Sequence, residues 1–378
     1  MSFKITHKDK KTKARVGKLK TRSGVVETPF FMPVATKAAV KYMSQEDIKE
    51  LGTSAIISNT FILHLTPGED VIKKLNGIKK FMNLDSRIIN VTDSGGFQMY
   101  SPSLYIKSTN KGVWFRNPIN KQKLFITPEK DMEIQLDIGS DIAMCLDKMP
   151  MPSDPREKIL EAVERTSDWA KRCKLQHDKI QGKVKKKDKQ LLFGICQGGV
   201  DKKLRAQSAM EIAEIDFNGY AIGGLALGEP KELEYDMIKI SKKHFPESKP
   251  CYLMGAGEPL ELLEAIEKGV DMFDSRYPTQ GARRGMIFTS KGKINLFNSK
   301  FSLDKSPLDK NCKCKVCKNK KYTKAYIRYQ LKHEESIGRH LATYHNLYFL
   351  INLMSESRKA IKKAKFSEFK KNFERNYK

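Results

Sequence analysis

Eight short apolar runs, each closed by a polar or glycine-bearing step, restrict this chain more than any other feature of its sequence. They are FFMPV at 30–34, SAIIS at 54–58, IINV at 88–91, IAMCL at 142–146, LLFGIC at 191–196, GYAI at 219–222, CYLM at 251–254 and VDMF at 270–273. Most are followed by an amphipathic helical stretch, so the repeating unit is strand then helix. Between the last two lies EPLELLEAIEKG, in which Leu260, Leu263 and Ile266 share a helical face before Gly269 ends the helix. Eight such units over roughly 290 residues match the length of a (β/α)8 barrel. A doubly wound sheet has the same local pattern, and periodicity does not close a barrel.

The placement of the chemically suggestive residues favours the barrel. Asn59, Asp93, Asp147, Gln197, Gly223 with Gly224, Gly255 and Asp274 each follow the C-terminal end of an expected strand. TIM barrels build their active sites from those ends. The expected fold is therefore an α/β TIM barrel over residues 1–300 with a small module near the C-terminus, over 301–354, whose clustered Cys312, Cys314 and Cys317 mark it as zinc-binding. Residues 355–378, in which SRKAIKKAKFSEFKKNFERNYK from Ser357 on sets Ile361, Phe366 and Phe369 among lysines, are expected to form one basic amphipathic helix packed on the barrel.

Charge narrows the choice of partners. Lys and Arg number 71 against 44 Asp and Glu, a net +27 that exceeds what solubility demands. A polyanion such as a nucleic acid is the expected partner, with a lysine-rich proteome as the competing explanation. No apolar stretch approaches the roughly eighteen residues of a membrane span, and MSFKITHKDK lacks the apolar core of a signal peptide. The expectation is a cytoplasmic protein with no membrane partner.

Of the seven cysteines, Cys312, Cys314 and Cys317 cluster in NCKCKVC. Three soft thiolates at this spacing, with one downstream histidine, suit a closed tetrahedral zinc site. His333, His340 and His345 are all candidates for the fourth ligand. Cys145, Cys173, Cys196 and Cys251 stand alone and read as buried small hydrophobes.

Three further segments carry chemistry. VTDSGGFQ sets Asp93 at a strand end before a turn that lets a ligand approach the backbone, and Phe97 offers a flat face for a purine. FGICQGG and AIGGLALGE add Gln197 and the backbone of Gly223 and Gly224, which can donate to and accept from a base edge. VDMFDSRYPTQGARRG places Asp274 beside Arg276, Arg283 and Arg284, a pairing suited to a sugar held by its phosphates. No phosphate-loop or dinucleotide fingerprint occurs with the right flanks, which sets aside nucleotide hydrolysis and dinucleotide binding.

Read in order, TDSGGFQ, FGICQGG, IGGLALGE, YLMGAGEP, MFDSRYPTQGARRG, CKCKVC and the HNL at His345 resemble the tRNA-guanine transglycosylase family, nearer its bacterial and eukaryotic branch than its archaeal one. The resemblance implies exchange of guanine at the tRNA wobble position for a 7-deazaguanine through a covalent ribosyl-aspartate. It implies Asp274 as nucleophile and Asp93 as general acid/base, with Asp147, Gln197 and the Gly224 backbone, next to Leu225, reading the purine edge. Phe97 and Met254 would sandwich the base. Arg276, Gln280, Arg283 and Arg284 would meet tRNA, and Cys312, Cys314, Cys317 and His345 would bind a structural zinc. The implied partners are tRNA, the deazaguanine base and a second copy in a homodimer.

Three departures mark this chain. Asp147-Lys148-Met149 stands where bacterial members usually read Asp-Glu-Cys, Gln280 replaces an arginine expected near tRNA, and Phe61-Ile62 replaces Tyr-His. Competing readings are a non-catalytic tRNA-binding partner subunit, against which the retention of Asp93 and Asp274 speaks, and an archaeal-type enzyme acting on the D-loop.

Overall fold

The structure, a computed structural model, describes residues 2–377 apart from 96–98, 100, 102, 119 and 319–320. Its centre is a parallel sheet of eight strands: β1 (Phe30–Pro33), β2 (Ala55–Asn59), β3 (Ile89–Asp93), β4 (Ile142–Met144), β5 (Leu191–Cys196), β6 (Gly219–Ile222), β7 (Cys251–Leu253) and β8 (Met272–Ser275). The strand order is β1-β8-β7-β6-β5-β4-β3-β2. The two ends of that row meet through a parallel bridge between Val34 and Ile57, where the Ala35 N–H donates to the Ile57 carbonyl at 2.7 Å. Each of the eight apolar runs is thus one strand, and the bridge makes a nearly closed barrel of what periodicity left as barrel or open sheet.

The helix Pro259–Glu267 shows how burial sets the register. Pro259, Leu262, Leu263 and Ile266 are buried at the i, i+3, i+4, i+7 spacing of a broad apolar stripe, whereas Leu260 is half-buried. The face expected from Leu260, Leu263 and Ile266 is therefore shifted, because a helix against a sheet buries a stripe wider than one row. Gly269, at φ +87°, turns the chain into β8 in the left-handed conformation that suits glycine.

Carboxylates at the N-terminal rim tie the barrel to the antiparallel sheet formed by Phe3–Lys8, Arg15–Thr21 and Gly24–Thr28. Asp271, just before β8, accepts Arg15 Nε at 3.1 Å and Nη2 at 2.6 Å, and also the Cys251 N–H at 2.8 Å. Asp141, just before β4, accepts Ser23 Oγ at 2.5 Å and the Asn90 N–H at 2.9 Å. Because β4 and β8 lie on opposite sides of the ring, these two anchors stretch the N-terminal sheet across that mouth.

Beyond the barrel the helix Ser336–Lys362 runs unbroken past residue 354, since its buried positions Leu350, Leu353, Met354, Ser357 and Ile361 continue the helical period. The basic tail is accordingly not one helix: it supplies the end of this one and then, after Ala364 at φ +53°, a separate helix Phe366–Asn376. Lys370 of that last helix bonds Glu264, and Glu267 at 2.6 Å, on the helix Pro259–Glu267. No helix among the described residues is long and apolar enough to cross a membrane.

The Arg15–Asp271 pair is buried on both sides, at 3% and 0% exposure, so removing one partner strands an uncompensated charge. Asp271→Ala is expected to lower unfolding stability by about 3–5 kcal/mol, read from the urea midpoint; an unchanged midpoint would show that the anchor contributes nothing.

Candidate active site and metal centre

A cavity of about 750 Å³ opens at the C-terminal rim of the barrel, lined by Asp93, Asp147, Gln197, Gly224, Leu225, Met254 and Asp274 among others. These seven residues lie at or just after the C-terminal ends of strands β3 to β8, which ring closure gathers on one rim. Phe97 lies outside the described residues.

Asp274 sits in β8 with one oxygen committed. Its Oδ1 accepts Tyr252 Oη at 2.5 Å and the Gly255 N–H at 3.0 Å, while Oδ2 accepts no bond among the described residues. Burial raises its pKa above the ordinary carboxylate value, and the bonds from Tyr252 and Gly255 oppose that rise. The result is an oriented carboxylate with one oxygen available.

Asp93, at the end of β3, is held differently. Its Oδ2 accepts Asn59 Nδ2 at 3.0 Å, and the Asn59 amide is itself oriented because its Oδ1 caps the helix Thr60–Leu65 through the Ile62 N–H at 2.8 Å. Asp93 Oδ1 is buried without a partner. Burial, reinforced by the nearby negative charge of Asp274 and opposed by the Asn59 bond, pushes the Asp93 pKa up to about 7. Such a group holds and yields a proton near neutrality.

The opposite wall is built for a polar edge. Gln197 Nε2 donates to Asp147 Oδ2 at 2.6 Å, Ser94 Oγ donates to Asp147 Oδ1 at 3.3 Å, and Gln197 Oε1 is buried without a partner. Burial raises the Asp147 pKa to about 6 against the pull of Gln197 and Ser94. The Gln197 amide lies so close to the turn after β6 that a Cβ on Gly223 would stand 2.6 Å from its Nε2, and one on Gly224 2.4 Å from its Oε1. Side chains there would displace the amide, which is why both positions are glycine. Glu229 secures the loop beyond, accepting the N–H groups of Ala226 at 2.6 Å and Leu227 at 2.9 Å.

The sequence departures sort themselves by direction. Met149 lines the cavity, but Lys148 does not: its Nζ pairs with Glu161 at 2.9 Å, a carboxylate shared with Arg165 at 2.6 Å. The expected arginine group is divided too. Arg276 and Gln280 line the cavity, whereas Arg283 donates to the Thr279 carbonyl at 2.8 Å and lies over the Tyr42 ring, and Arg284 is exposed outside it. Tyr252 and Ser94 were missed by sequence reasoning. Tyr252 was hidden inside the apolar run CYLM, where only the need of a buried phenol for a partner would have singled it out.

The cysteine cluster selects one histidine of the three. One ligand atom from each of Cys312, Cys314, Cys317 and His345 falls within 4.8 Å of the others. His345 Nε2 lies 2.7 Å from the Phe288 carbonyl and donates to it, which leaves the Nδ1 lone pair facing Cys314 Sγ at 3.6 Å and Cys317 Sγ at 3.3 Å. His340 instead lies against the Tyr42 carbonyl at 2.9 Å, and the His333 ring packs at a tilt against Tyr329. Three thiols and one unprotonated imidazole nitrogen converging in a buried spot fit a metal ion. The next residue, Asn346, takes the Phe288 N–H at 3.0 Å and donates to the carbonyls of Pro278 and Met286, tying the cluster to the segment after β8.

Two buried carboxyl groups, Asp93 and Asp274, share one cavity with Asp147 and Gln197 on the C-terminal rim of a nearly closed α/β barrel, the rim on which TIM-barrel enzymes build their sites. The chain belongs to the queuine tRNA-ribosyltransferase family, whose profile matches residues 9–378, and it is accordingly a pentosyltransferase. It is 47% identical over 378 residues to the queuine tRNA-ribosyltransferase of Thermoanaerobacter sp. strain X514, covering 100% of this chain and 98% of that one. Its likeness to the same-named protein of Fusobacterium nucleatum is 46%, covering 100% and 99%, and to that of Bacillus subtilis strain 168 it is 46%, covering 97% and 94%.

The raised pKa of Asp93 makes a stability prediction. Below about pH 4, the ordinary aspartate value, both folded and unfolded chains carry the proton and no penalty exists. As pH rises from there to about 7 the unfolded chain releases its proton first, so this group's contribution to stability falls across that window. Asp93→Asn is therefore expected to melt at a higher temperature than the parent at pH 8 and at the same temperature at pH 4; an equal difference at both pH values would refute the shifted carboxylate.

Proposed function

We propose that this protein is a tRNA-guanine transglycosylase that replaces guanine at the anticodon wobble position with a 7-deazaguanine through a covalent ribosyl-Asp274 intermediate. The observation that carries the reading is the difference between two carboxyls on one cavity, Asp274 with a free Oδ2 and Asp93 with its pKa pushed up to about 7. Asp274 Oδ2 attacks the ribose anomeric carbon as the bond to guanine N9 breaks, and the departing base takes the Asp93 proton. The incoming deazaguanine then gives its N9 proton to Asp93 and attacks the same carbon, releasing Asp274. Two inversions retain configuration, as in retaining glycosidases.

Base reading follows from donors and acceptors. Guanine presents an oxygen acceptor beside two N–H donors. The cavity wall supplies the Gly224 N–H as donor, with the Asp147 carboxylate and the unpartnered Gln197 Oε1 as acceptors. Met254 flanks the base, and Phe97 is assigned the other face. Arg276 and Gln280 meet the tRNA at the mouth, with Arg283 and Arg284 beyond it. The surplus of basic residues suits the phosphate backbone, and the cytoplasm is where such a substrate is found.

Cys312, Cys314, Cys317 and His345 would hold zinc in a structural role, because four protein ligands leave no open position for substrate. When bound, the ion clamps the cysteine loop to the helix Ser336–Lys362. Metal analysis of purified protein is expected to find about one zinc per chain, and Cys314→Ser to lose zinc and solubility together; a metal-free parent would overturn the assignment.

Asp274→Asn keeps the shape of the nucleophile and removes its charge. It is expected to bind tRNA as the parent does while exchange of labelled guanine falls by a factor on the order of 10⁴ or more. Parent enzyme, tRNA and a base analogue that stalls turnover are expected to yield a tRNA-linked band on a denaturing gel. That band should be absent with Asp274→Asn, and its persistence would assign the covalent bond to another carboxylate.

A further inference from the structure

Arg205, on the helix Lys202–Glu214 that follows β5, is fully buried, a place where arginine usually meets a carboxylate. Among the described residues its guanidinium meets backbone carbonyls and one sulfur instead. Nη1 donates to the Gly223 carbonyl at 3.0 Å and to the Cys196 carbonyl at 3.2 Å, with Cys196 Sγ at 3.6 Å. Nη2 donates to the Gly199 carbonyl at 2.8 Å and Nε to the same oxygen at 3.3 Å. One cation therefore joins the end of β5, the loop after it and the turn after β6. The fit is close: a Cβ on Gly198 would stand 2.7 Å from the Arg205 backbone nitrogen.

The Gly223 contact has a consequence for the cavity. A trans peptide unit is planar, so the Gly223 carbonyl and the Gly224 N–H point in opposite directions. Arg205 holds that carbonyl on the core side, away from the cavity that Gly223 and Gly224 line and Arg205 does not. The Gly224 N–H is thereby turned outward, and no acceptor among the described residues takes it. Positive charge behind the carbonyl also polarises the peptide, which strengthens the N–H as a donor. Asp147 and Gln197, on the neighbouring wall, contribute acceptors, so this one peptide sets where the donor stands in the pattern.

We propose that Arg205 is a positioning residue for base recognition, fixing the Gly223–Gly224 peptide so that its N–H selects a purine bearing an oxygen acceptor such as the 6-oxo group of guanine. The inference rests on the transglycosylase reading, which supplies the purine.

The test is calorimetric binding of guanine and of 2-aminopurine, which lacks the 6-oxygen, to the parent and to Arg205→Met. The variant keeps much of the bulk and removes the charge and donors. Guanine is expected to weaken on the order of tenfold while 2-aminopurine affinity holds, so the ratio of the two shrinks. A purely structural role would lower the melting temperature and the fraction of competent protein, yet leave that ratio unchanged. Equal weakening of both bases, or of neither, overturns the proposal. Should Arg205→Met not fold, the ratio is read on Arg205→Lys, whose ammonium cannot span the three carbonyls; an unaltered ratio there also overturns it. A parent that binds neither base overturns the transglycosylase reading and this inference together, whereas parent-like discrimination in the variants overturns this inference alone.

Discussion

Closure of the barrel through the Val34–Ile57 bridge is the constraint on which the site depends. A closed ring of parallel strands gathers every strand's C-terminal end on one rim, so residues separated by long stretches of sequence face a common space. Asp93 on β3 and Asp274 on β8 act on one another only because of this. Burial of Asp93, with the negative charge of Asp274 nearby, raises its pKa to about 7. Open the sheet, and both revert to ordinary surface carboxylates.

The two rims use the same residue type for opposite purposes. At the N-terminal rim Asp141 and Asp271 accept backbone N–H groups and pair with Arg22 and Arg15, so their oxygens are occupied and their role is to anchor the N-terminal sheet. At the C-terminal rim Asp93 keeps an oxygen buried without a partner and Asp274 keeps Oδ2 available. Unsatisfied buried acceptors cost stability, and a fold tolerates them where a ligand completes the bonding.

The cysteine–histidine cluster and the cavity are coupled through adjacent residues of one helix. His345 points at the thiols while Asn346 gathers backbone groups of Pro278, Met286 and Phe288, in the segment that directly follows the strand carrying Asp274. Order at the cysteine cluster is in this way transmitted to the loop bearing Arg276 and Gln280.

Local pattern alone determined a good deal here. The eight strands, the strand-end positions of Asp93, Asp147, Gln197, Gly224 and Asp274, and the C-x-C-x-x-C cluster were all legible, because strand periodicity and ligand spacing are properties of short windows. Contacts across the fold were not. His345 could not be chosen over His333 and His340 until the helix Ser336–Lys362 was laid against the cysteines. Lys148 stood out as a departure next to Asp147, and only its pairing with Glu161 shows that it does not line the cavity. Tyr252, inside the apolar run CYLM, became the donor that holds Asp274, and Arg205, which no local motif marked, the donor that holds the Gly223–Gly224 peptide. Side-chain direction and burial follow from which elements pack together, and long-range packing, not local propensity, is what the tertiary structure decided.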